Sequence, residues 1–308
     1  MYLLDQAEKV EENSSYKSSY LIDNGQVRYV SKTFQQWNKQ RVVMSSIIMM
    51  NGRVMLSNEL TLSHDYSIFQ QQQNDLIKKG CTTVAVASYV PFERQLDSIY
   101  KRTKHAMASS TLDYIIGFTL PLKLLSPQVL RRCRHLRVPF VRIVINSVAE
   151  IEELPWSHLS QTLSSYSTVV IPVIEEESPK IRTSILSTWT SYCAAYRIHS
   201  SPPLEDHEVW RKAMVQKVGL YPEKGAMLVG SDADYLLFIN NKTETVFSKD
   251  QTVARKELFV YHEEDPFVVI LRGHVIKAGH VISLKPGFGR CIQVKRPGRF
   301  LSLDDLVV

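Results

Sequence analysis

The chain has 308 residues of ordinary apolar content, enough to bury one large core or two smaller ones, and it reads as globular. Its formal charge of +6 comes from Lys and Arg scattered among nearly as many Asp and Glu, with no basic run interleaved with aromatics, so no nucleic-acid partner is expected. No run approaches the roughly 20 apolar residues that span a bilayer, the N-terminus lacks an export pattern, and Cys81, Cys133, Cys193 and Cys291 have neither zinc-ribbon nor redox spacing, so a cytoplasmic protein with reduced thiols and no membrane partner is expected.

In chain order, residues 1–18 are polar and charged and read as a short helix or frayed arm. Ser19 to Val30 carries two strand-like runs about Asn24-Gly25, the strongest local hairpin signal. Apolar strands continue through residues 42–56, and Ile68 to Lys79 is amphipathic. Lys79 to Val86, Leu112 to Phe118, Val138 to Ile145 and Thr168 to Ile174 are strand-like, with helical segments around 92–108, 124–135 and 178–195 between them. The alternation predicts parallel β/α units, and the β-branched content suits strands buried on both faces. Pro202-Pro203 then stiffens a strand-to-helix connection.

Only Ala213 to Val218 separate that helix from the most informative stretch, Gly219 to Asn240. There Pro222 and Gly225 mark an ordered turn leaving a helix, Gly230 to Asp234 form a tight polar turn, and Tyr235 to Ile239 make a short buried strand. Val268 to Ser283 reads as two strands about a turn. Gly287-Phe288-Gly289 is no phosphate cradle, because it does not open a helix after a buried strand.

Lys224-Gly225, Gly230 and Asp232-Ala233-Asp234 resemble the point at which cyclic amidohydrolases, the dihydropyrimidinase, hydantoinase and dihydroorotase group, leave their catalytic barrel for a small β-domain. Residues 198–210 carry a second strong resemblance, to the family's Ser-Pro-Pro-Leu segment, and weaker ones lie at 19–30, 79–86 and 268–300. The fold class this implies is α/β: a truncated amidohydrolase-type (β/α) barrel over 57–218, and a small β-sandwich built from both chain ends, 19–56 and 219–308, after the arm at 1–18. A full barrel takes about 250 residues, and Val54 to Val218 falls below even the lower end near 200. Such a sheet either closes with fewer strands or leaves two edges exposed, and an exposed edge calls for a partner. A homo-oligomer or a subunit of a larger assembly is therefore expected, assisted by the 285–300 tail.

The resemblance also implies where metal ligands would stand. Ser63 and Asp65 fall on two histidine positions, Arg142 lies near the lysine that is carboxylated to bridge two metals, and Val173 replaces another histidine. An arginine cannot take that modification and repels a cation. No metal is expected, and no catalytic residue is assigned; Asp65, His64, Glu175 and His199 are weak candidates for a reduced zinc site. Ser201 holds the place that contacts the substrate's ring amide in hydantoinases, and with Arg142 it is the candidate for binding an anionic or amide ligand. The leading expectation is a non-catalytic amidohydrolase homologue serving as scaffold or regulatory subunit. The alternative is a diverged hydrolase of cyclic amide C–N bonds with a reduced metal site.

Overall fold

The computed structural model describes residues 1–12, 14–63, 65–176, 178–239 and 264–301. The chain forms two compact units: Met1–Arg53, Gln70–Thr82 and Pro222–Lys285 in one, and Val54–Phe69, Thr83–Tyr221 and Pro286–Val308 in the other.

The first unit is a large, mainly antiparallel sheet. Five strands come from the start of the chain: β1 (Tyr2–Glu11), β2 (Ser14–Asp23), β3 (Gln26–Ser31), β4 (Arg41–Val43) and β5 (Ile47–Asn51). Four come from its later part: β11 (Tyr235–Ile239), β12 (Val268–Leu271), β13 (His274–Ala278) and β14 (Val281–Ile282). The order is β14-β13-β12-β11-β5-β1-β2-β3, with β4 beside β1. Phe238 faces Ile48 across the β5–β11 pair, and the Tyr2 and Tyr235 hydroxyls meet at 3.0 Å, so the two chain ends share one sheet. Its core joins Leu4, Tyr20, Ile22, Met49, Met227, Tyr235 and Ile270.

Residues 1–18 are thus not an arm or a helix but β1 and the first half of β2. The charges that suggested an arm are accommodated in the sheet: Lys9 is 1% exposed, paired with Glu11 at 2.7 Å, its ammonium over the Tyr16 ring. Asn24-Gly25 makes the expected tight turn, with both residues at positive φ.

The second sheet contains β6 (Arg53–Leu56), β7 (Cys81–Tyr89), β8 (Asp113–Pro121), β9 (Phe140–Val144) and β10 (Val169–Val173), each beside the next. From β7 to β10 the pairing is parallel, and the sheet is a curled half-barrel. Helix α1 (Tyr66–Lys78) precedes β7; α2 (Leu96–Ala106), α3 (Pro127–Leu136), α4 (Val148–Glu152), α5 (Trp156–Leu163) and α6 (Pro179–Ala195) follow in the connections, and α7 (Lys212–Val218) comes last. Alternation along the strands separates two faces. Phe118, Leu120, Val141, Ile143 and Val170 pack under the helices, with Trp156 and Trp189. Val54, Leu56, Ala85, Ile115, Phe140, Val169 and Ile171 face inward and enclose Trp210 and, from α7, Met214, Val215 and Val218.

Both edges of this sheet are bonded by one later segment. Along β10, Val170 N–H donates to His199 O at 2.9 Å and Val170 pairs with Ser200. Along β6, His207 N–H donates to Leu56 O at 2.7 Å and Trp210 N–H to Val54 O at 2.8 Å, with Val209 antiparallel to Met55. Of the two outcomes the sequence left open, closure with fewer strands or two bare edges, bare edges are not what these positions show, because residues 199–210 bond the backbone there.

The tail has partners within its own chain. From Pro286 it lies on the second unit of its own chain: Arg290 N–H donates to the Asp113 carboxylate at 2.7 Å, Tyr114 N–H to Arg290 O at 2.9 Å and Gly298 N–H to Lys217 O at 2.9 Å. Cys81, Cys133, Cys193 and Cys291 are all free thiols, and among the described residues no helix is long and apolar enough to cross a membrane.

Candidate functional site

Parallel β/α sheets present their chemistry at the carboxyl ends of the strands, where the loops converge. On β9 this end is reached through Phe140 and then Arg142, two residues on, on the same inward face. The Phe140 ring fills the space a side chain on β8 would need: a Cβ at Gly117 would stand 2.4 Å from it. Trp210 meets the same ring edge-on, 5.6 Å between centroids. The lower interior is therefore packed with carbon.

Above it the lining turns polar. Arg142 is half-buried, and its Nε has no hydrogen-bond partner among the described residues. Burial pushes this guanidinium below its ordinary pKa, while the Asp206 and Glu175 carboxylates pull it back up. His207 Nε2 and Trp210 Nε1 are likewise buried without a partner. His207 also has a left-handed backbone, φ 66°, held by its bond to Leu56. A non-glycine residue there costs free energy, of the kind that clusters at binding sites.

Asp206 is fixed by Asn58, whose backbone N–H and side-chain amide donate to its two carboxylate oxygens at 3.0 and 2.8 Å. Asn58 Oδ1 in turn accepts from Ala87 N–H at 3.2 Å. Neither Asn58 nor Asp206 was among the sequence candidates. Their pairing spans nearly 150 positions, and no local pattern reports it.

The candidates themselves are dispersed. Arg142 lies on the inward face of β9, two residues beyond Phe140. The Ser201 hydroxyl donates to Pro202 O at 2.9 Å, and beside it Ser200 accepts from Trp189 Nε1 and donates to Val170 O, so this corner is fastened internally. Asp65 is exposed and accepts from Ser67 N–H and Oγ, both at 2.8 Å; these bonds at the start of α1 hold its carboxyl below the usual range. Glu175 is exposed beyond β10. The pKa of His199 is pushed down by burial and then by the Lys217 ammonium, and its Nδ1 has no partner among the described residues. His64 lies outside the described residues.

A two-metal centre needs several imidazole and carboxylate donors converging on these strand ends. Among the described residues, Asp65, Glu175 and His199 join no group of three such donors. With Arg142 as a fixed cation facing the same space, the residues present do not fit that centre. In the first unit, the Asp232 and Asp234 side chains of the diagnostic turn are committed to Lys224, at 2.8 and 2.7 Å, and Asp234 also accepts Arg272 N–H at 2.7 Å. The turn's acids are structural.

No known family model matches the chain, and no curated protein does. Solved structures do. A D-hydantoinase shares the fold with a TM-score of 0.68 at 10% identity, over 96% of this chain and 99% of that one. The dihydropyrimidinase of Brevibacillus agri NCHU1002 gives 0.59 at 11%, over 97% and 99%. The L-hydantoinase of Arthrobacter aurescens gives 0.55 at 11%, over 95% and 99%. The chain has the cyclic-amidohydrolase fold.

Proposed function

Starting from a cyclic-amidohydrolase fold, we propose that this protein is a non-catalytic homologue, a regulatory or scaffold subunit that holds a small polar ligand inside a shortened barrel. The two chain ends would supply its β-sandwich domain. The observation that carries this reading is that Arg142 Nε, on the inward face of β9, and Trp210 Nε1, packed edge-on against Phe140, are both buried without a partner among the described residues, while Asp65, Glu175 and His199 join no group of three metal donors there. Buried polar atoms of this kind are costly until a partner meets them. A carboxylate or ring-amide oxygen would satisfy the Arg142 guanidinium. Assembly with itself or with other subunits belongs to the same proposal, although the bonding of both sheet edges by 199–210 removes edge exposure as its motive; light scattering at micromolar concentration tests it.

A second reading has its own support. The similar structures named above are hydantoinases and a dihydropyrimidinase, and that likeness taken alone favours a diverged hydrolase of cyclic amide C–N bonds over a scaffold. Hydrolysis at neutral pH would require a source of hydroxide, which metals supply in such chemistry by lowering the pKa of bound water to about 7. Elemental analysis of protein purified from zinc- and manganese-supplemented medium separates the readings. The non-catalytic reading expects well under one equivalent of tightly held metal; one equivalent or more supports the hydrolase.

A further inference from the structure

Away from the strand ends, the second unit carries a recess of about 230 Å³ between the end of α5 and the tail, lined by Ser164, Ser165, Ser167, Arg296, Gly298 and Arg299. Among the described residues no carboxylate lines it. Among the described residues neither Arg296 nor Arg299 has an acidic partner; Arg299 lies over the neighbouring Phe300 ring at 5.1 Å. A third guanidinium adjoins, since Arg134 donates to Ser165 Oγ at 3.0 Å.

The frame of this recess is rigid. Gly298 has φ +70°, its N–H is bonded to Lys217 O, and a Cβ there would stand 2.8 Å from the His199 ring. Behind it Gly219, φ +84°, allows the tail backbone to pass: a Cβ would be 2.8 Å from Arg296 O and Pro297 Cα. Only glycine tolerates both the left-handed backbone and the close approach. The α5 end would itself repel an anion through its carbonyls. Here Ser164 Oγ donates to Gln161 O at 2.7 Å and Ser165 Oγ to Thr162 O at 3.0 Å, which quenches that negative end.

We propose that this recess binds the phosphate group of a small soluble phosphorylated molecule, with Arg296 and Arg299 as its forked donors and Arg134 as a supporting charge. Guanidinium groups match tetrahedral oxyanions through paired N–H donors. The volume lies below the 300–1,000 Å³ of a pocket for a whole drug-sized ligand, which fits a single group with the rest of the molecule in solvent. The proposal is independent of the barrel interior and of whether the protein is catalytic.

Calorimetric titration with inorganic phosphate and with glycerol 3-phosphate, at fixed ionic strength against chloride, tests it. One saturable site per chain is expected. R296Q and R299Q should each weaken it by roughly tenfold, the scale of a charge-assisted hydrogen bond, while K101Q on exposed α2 should leave it unchanged. All these positions are exposed, and circular dichroism confirms folding of each variant. No saturation beyond the chloride control, equal affinity in the arginine variants, or binding only to phosphatidic acid vesicles would each overturn it.

Discussion

The Lys224 ammonium stands 2.7 Å from the Asp234 carboxylate, with the two side chains 1% and 2% exposed. Asp232 completes the group at 2.8 Å. Removing one partner of a buried pair strands the other's charge, so K224M should destabilise the protein by about 3–5 kcal/mol. Urea unfolding measures this, and a loss below about 1 kcal/mol would show that solvent reaches the pair.

That ion pair explains why the turn identified the fold and was silent about chemistry. Gly230 to Asp234 is visible as a local pattern, and so were the β/α alternation and the Asn24-Gly25 turn. Other features depend on distant partners. Lys9 and Glu11 read as solvent-facing until β2 is laid beside β1. The bonding of β6 by His207 and Trp210 joins positions some 150 apart, as does the Asn58–Asp206 pair. Among the candidate side chains, Arg142 sits two residues beyond Phe140 on one strand, so its face follows from alternation, a local rule.

Inside the half-barrel, Phe140 occupies the side-chain space of Gly117. G117A should force the ring aside at a cost of about 1–3 kcal/mol. Combining it with F140L should recover part of that loss in a double-mutant cycle. Strict additivity would mean that the two residues do not compete for one volume.

Trp210 joins the segment that bonds β6 to the packed interior. W210A should cost about 3–5 kcal/mol and leave a cavity beside Phe140. Increased apolar-dye binding by the folded variant is expected. A variant as stable as the parent would mean that the 199–210 segment is not part of the core.

His199 gives a pH dependence. Its folded pKa is lowered by burial and by Lys217, so below the ordinary value near 6.5 the unfolded chain binds more protons than the folded one. The contribution is fully present above 6.5 and is lost as pH falls through the lowered folded value. Denaturation midpoints of the parent should fall more between pH 8 and pH 5.5 than those of H199Q. Identical slopes would place the imidazole in solvent in both states.

Arg142 puts a fixed guanidinium on the inward face of β9, and the proposed non-catalytic role requires that no metal-activated water form beside it. Turnover of hydantoin, dihydrouracil and dihydroorotate, measured on zinc- and manganese-loaded protein before and after a chelator, tests that role most directly. No hydrolysis above the uncatalysed background is expected in either condition. Multiple turnover that the chelator abolishes and added metal restores would contradict it.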